Sequence, residues 1–223
     1  MIQLRVHQFG LTYEMALSPP VSTVIDAPGK LTSALVSQFD RFGLSLSDVT
    51  IEDGPVEDKG LSCEVEKLDA SIVLRADRFE VRFLSIEETG DEAAVETVRG
   101  IWEMLLTSSP DMIPKSHSVL FEIDCEAMGG SYREILENFC RTHQNLPEGT
   151  ETAVVYYLPQ DGSQGFLDSS LVLNRSAEVD GGVLLAATLV FDGKVFGPDR
   201  AIQAGRNRLK DLLSKLEVKL LRD

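Results

Sequence analysis

The stretch Ser116–Phe139, SHSVLFEIDCEAMGGSYREILENF, decides how the chain is read. Val119, Phe121, Ile123 and Cys125 alternate with Leu120, Glu122, Asp124 and Glu126, the two-residue period of a β-strand. Gly129-Gly130 then turns the chain. Ser131-Tyr132-Arg133-Glu134 has the spacing of a capping box, which satisfies the free N–H groups at a helix start. Tyr132, Ile135, Leu136, Phe139 and Cys140 recur at helical spacing after it. Strand, turn and helix thus follow one another within this short stretch.

The N-terminus has the same order. Ile2–Leu17 reads as a long strand, with Leu11, Tyr13, Met15 and Leu17 on one face and Thr12, Glu14 and Ala16 on the other. Gly10 is the expected bulge or bend. Pro19-Pro20 ends the strand, because proline cannot donate to a ladder. After a loop over Val21–Gly29, Leu31, Ala34, Leu35, Phe39 and Phe42 mark a helix over Lys30–Phe42, with Gly43 as its left-handed cap.

Short strands and turns follow in both halves. Val49–Glu52, Leu61–Leu68, Ser71–Arg75 and Glu80–Ile86 read as strands, as do Thr152–Leu158, Leu167–Asn174 and Val183–Phe191. Thr152–Leu158 is almost unbroken apolar sequence, so a buried strand is expected there. A long helix closes each half. Glu92–Leu106 is preceded by the capping box Thr89–Glu92 and carries Ala94, Val98, Ile101, Trp102 and Leu105. The second follows Gly197-Pro198 with a stripe from Ile202 through Leu209, Leu213 and Leu216 to Leu220. Pro110 and Pro114 mark a linker over Thr107–Ser116.

These elements predict an α+β protein. It is a duplicated β-α-β(3-4)-α unit, residues 1–115 and 116–223, with mainly antiparallel curved sheets and long helices packed on one face. In layout each half resembles those of helix-grip and TATA-binding-protein-like folds. The likeness covers the order of elements across the chain and carries no shared motif, so it transfers no residue and no activity.

Charge narrows the partners. The chain has 223 residues, 21 basic and 36 acidic, for a net charge of −15. Binding to phosphate backbones requires Lys and Arg to displace counterions, so neither nucleic acid nor an anionic membrane is an expected partner. Residues 1–115 hold 10 basic and 20 acidic residues, whereas 116–223 hold 11 and 16. Seven of those 11 cations lie between Arg200 and Arg222. They read as a solvated helix face or as a docking face for an acidic partner. No stretch has the roughly 20 apolar residues of a membrane span, and the first ten residues lack a leader pattern. Three cysteines at irregular spacing fit reduced thiols, and a cytoplasmic location is expected.

Few residues offer chemistry. Glu122, Asp124 and Glu126 share one strand face, neighbours roughly 7 Å apart, and are the candidate ligands for a hard cation such as magnesium or calcium. The alternative is the wet face of a half-exposed strand. Glu14 would be their N-terminal counterpart. Cys140 and His143 stand three apart at a helix end, the pairing of a cysteine nucleophile, but Cys140 falls on an apolar face. Gly162–Gly165 lacks the strand-to-helix context of a nucleophile elbow. Gly129-Gly130 and Gly181-Gly182 match no dinucleotide or phosphate loop, so no cofactor is expected. The expectation is a non-enzymatic binding or interaction module, with a protein partner or self-association as a homodimer. The alternatives are a metal-dependent enzyme using the strand carboxylates, or a pocket for a small apolar molecule between helix and sheet.

Overall fold

β1 (Ile2–Ser18) and β6 (Ile113–Ala127) run antiparallel at the centre of the molecule, paired from Leu4 against Ala127 to Ser18 against Ile113. The computed structural model describes residues 2–55, 58–86, 91–130, 132–139, 153–158 and 165–222. On the β1 side follow β5 (Arg78–Phe83), β4 (Ala70–Arg75), β3 (Gly60–Val65) and β2 (Val49–Glu52). On the β6 side follow β9 (Val183–Asp192), β8 (Phe166–Arg175) and β7 (Val154–Tyr157). The tenth strand, β10 (Val218–Leu221), runs parallel to Ile2–Arg5 of β1; every other pair is antiparallel.

This corrects the expected helix-grip or TATA-binding-protein-like arrangement of helices packed on curved sheets. The fold is dominated by one ten-stranded sheet, 43% strand and 35% helix, with a few helices. Alternation along a strand fixes which residues share a face but not which strand lies alongside. The pairing of β1 with β6 joins the two halves in a single sheet, a point that the order of elements had left open.

The helices are α1 (Ser22–Asp26), α2 (Pro28–Phe39), α3 (Asp91–Ser108), α4 (Tyr132–Phe139) and α5 (Pro198–Lys215). The expected loop at Val21–Gly29 therefore contains α1 and the start of α2, with Pro28 in the first turn, where its missing N–H costs nothing. α5 meets β6 at Gly205, where an added Cβ would stand 3.3 Å from both Phe121 Cε2 and Val119 Cγ1. Tyr13, Met15, Val119, Phe121 and Phe191 on that face are fully buried, in one core that also holds Leu35, Ile101 and Leu209. The opposite face, with Thr12, Glu14, Leu120, Glu122, Ala186 and Thr188, stays partly exposed.

The bulge in β1 falls between Val6 and Gln8, not at Gly10, which pairs regularly with Glu122. The extra residue, His7, reverses the parity of the strand. Leu4 pairs with Ala127 before it and Phe9 with Ile123 after it, so even-numbered residues face the core first and odd-numbered ones afterwards. A strand this long twists, and the bulge keeps both of its ends apolar toward the helices.

Other boundaries shift. Leu61–Leu68 divides into β3 and a 3-10 turn at Glu66–Leu68, and the linker contracts to 109–112. β7 is an edge strand, not a buried one: Tyr157 is 82% exposed. Trp102 is half-buried, where full core burial was expected. Ser131, Thr89, Cys140, His143 and Gly162, with the capping boxes, thiol–imidazole pair and loop expected there, lie outside the described residues. No described helix is long and apolar enough to cross a membrane.

Candidate functional site

The apolar stripe of α5 breaks at its end. Glu217 adopts φ 55, so the helix stops at Lys215 and the chain turns directly into β10. Leu220, expected on the helix, instead pairs with Leu4 of β1. The turn folds β10 back beside α5 and leaves a cleft of about 970 Å³ between them. Phe9, Leu209, Leu213, Val218 and Leu220 supply its apolar walls; Arg206, Lys210, Lys219 and Arg222 supply positive charge. Its size lies within the range of small-molecule and peptide sites.

Arg206 is the fixed cation of the cleft. Its Nε donates to Asp91 Oδ2 at 2.9 Å and its Nη2 to Asp91 Oδ1, a bidentate pair with the first residue of α3. The guanidinium carbon stands 4.3 Å from the Phe9 ring centre and 5.0 Å from that of Phe121. Arg222 covers Phe9 as well, at 4.9 Å. Both cations are held by the negative face of the ring, the attraction expected of guanidinium on an aromatic surface.

The remaining cations are different. Lys210, Lys219 and Arg222 make no ion pair among the described residues. The cleft holds four cations against two carboxylates, Asp91, which Arg206 engages, and Glu217, so its lining is net positive in a chain of net charge −15. The concentration of basic residues after Arg200 was visible in the sequence. Phe9 was not, because its place depends on the bulge, and the break at Glu217 carries no glycine or proline to announce it.

The sequence-derived metal candidates lie elsewhere and have separate partners. Glu122 pairs with Arg82 of β5 at 3.7 Å, and Glu126 with Arg5 at 3.3 Å and His7 at 3.5 Å. Asp124 is buried and accepts from Ser176 Oγ at 2.5 Å, while Ser176 Oγ itself accepts from the backbone N–H groups of Glu178 and Val179. That network closes the turn between β8 and β9. Among the described residues no group of three His, Cys, Asp or Glu is gathered closely enough to hold a metal ion. Glu14, on the same face, has its carboxyl pKa raised by burial, with Arg78 opposing and Glu80 and Asp77 adding to the rise. Cys63 and Cys125 are buried thiols whose pKa is pushed up to about 12, chiefly by burial. They are therefore poor nucleophiles.

No protein-family model matches the chain, and no curated protein matches it.

Proposed function

We propose that the protein is a binding module whose cleft between α5 and β10 takes an acidic ligand or partner. The carrying observation is a net positive lining, with Lys210, Lys219 and Arg222 outside any ion pair among the described residues, above a floor of Phe9, Leu209 and Leu213. Lysine and arginine heads attract an anionic group, while the apolar floor gains from excluding water, about 25 cal/mol per Å² covered. The chain as a whole is acidic, so a net positive cleft is where an acidic molecule meets the least repulsion.

Native mass spectrometry of protein purified gently from cells tests this. The wild type should retain a ligand or partner as added mass. The same protein with Lys210→Glu, Lys219→Glu and Arg222→Glu together should lose it while still unfolding cooperatively on heating. Equal retention by both proteins would remove the cleft from consideration.

A divalent ion on Glu122, Asp124 and Glu126 is the competing reading. The separate engagement of each carboxylate, with Arg82, Ser176 and Arg5, weighs against it.

A further inference from the structure

We infer that the occupant of the cleft is an extended acidic segment of a protein partner, which adds to the free edge of β10 as a further strand. This rests on the cleft reading above and specifies its ligand. β10 pairs with β1 on one edge, and no described strand lies on the other. Val218, Lys219 and Leu220 of β10 line the cleft in succession after Glu217 of the turn, so it opens along the strand backbone and not at one side chain.

A strand edge presents a row of N–H and C=O groups, each of which needs a partner. A compact small molecule satisfies one or two of them. An extended peptide satisfies the row at the strand repeat, about 13 Å over four residues. The net positive charge of the site selects the sequence of that peptide: Lys210, Lys219 and Arg222 outnumber Glu217 and call for carboxylates, and Phe9 and Leu213 for apolar side chains between them. A second copy of this chain is also acidic, but the mass spectrum distinguishes it as a dimer.

The test is selection of random displayed decapeptides on immobilised full-length protein, with the Lys210→Glu, Lys219→Glu, Arg222→Glu protein used for counter-selection. The expected winners mix acidic and apolar residues. A winner resynthesised with alternate backbone amides N-methylated should bind about tenfold more weakly or worse, having lost ladder hydrogen bonds. Equal binding by the N-methylated peptide would overturn strand addition while leaving the charged cleft standing. Saturable binding of dodecanoate, displaced by the charge reversals, with no peptide enriched, would assign the cleft to small amphiphilic acids and overturn the peptide. A dimer that disappears with the charge reversals would replace the outside partner by a second copy. Failure of peptide and dodecanoate alike would overturn both this inference and the cleft reading.

Discussion

Tyr13 Oη and His117 Nδ1 lie 2.6 Å apart in the core, one from each of the two central strands. His117 Nε2 is 2.9 Å from the carbonyl of Phe196, an acceptor only, so Nε2 carries the proton and Nδ1 accepts from the tyrosine hydroxyl. The chain from β1 through β6 to the residue just ahead of α5's cap is thus joined by one polar path inside an apolar core. Tyr13→Phe keeps the ring and leaves Nδ1 without its donor. The expected loss is about 1–3 kcal/mol of unfolding free energy, the cost of an unsatisfied buried acceptor. Urea denaturation measures it, and an unchanged midpoint would show that the bond contributes nothing net.

The same pair makes stability depend on pH. Burial is the main cause lowering the pKa of His117, with hydrogen bonding to Phe196 and the charge of Asp192 partly opposing it. The unfolded histidine, near pKa 6.5, therefore takes up a proton before the folded one. This contribution is fully present above about pH 6.5 and is lost as pH falls from there toward the folded value. Tyr13 acts at the other end: burial, then the charge of Asp199, raises its pKa, so its contribution is lost as pH rises above about 10. Denaturation midpoints of wild type and His117→Asn across the acidic window should converge as pH falls; parallel curves would contradict the assignment.

Gly205 sets how closely α5 approaches β6. With Phe121 and Val119 both 3.3 Å from where a Cβ would stand, a larger side chain must push helix and sheet apart. Gly205→Val should cost about 1–3 kcal/mol as overpacking, and Gly205→Ala less. Thermal unfolding of the two variants checks the order; stabilisation by valine would mean that the interface has room.

Asp91 neutralises a cation that is nearly out of solvent, the Arg206 side chain being 10% exposed. Asp91→Asn strands that charge between Phe9 and Phe121, with an expected loss of about 3 kcal/mol. Replacing both residues, Asp91→Leu with Arg206→Met, should recover much of it, since two apolar groups leave no buried charge. A single variant as stable as wild type in urea would show that Arg206 finds water instead.

Magnesium and calcium should leave the melting temperature unchanged, because Glu122, Asp124 and Glu126 each answer to a different neighbour. A rise on adding either ion, reversed by chelator and absent in Asp124→Asn, would establish the metal reading.

The sequence by itself determined the faces. A two-residue period put Leu11, Tyr13 and Met15 together, and Phe121, Ile123 and Cys125 together, because successive side chains on a strand point opposite ways. A helical period marked Leu31, Leu35, Ile101 and Leu209 as buried, and they are. It also located the basic C-terminal stretch. Only the tertiary structure decided what those faces meet. The pairing of β1 with β6 joins residues 95 to 123 positions apart, and no local period encodes it. The bulge at His7 reversed the parity that brings Phe9 beneath Arg206. The left-handed turn at Glu217 took Leu220 off the helix and made β10. The cleft requires all three, and each is settled by the long-range contacts that offset its local cost.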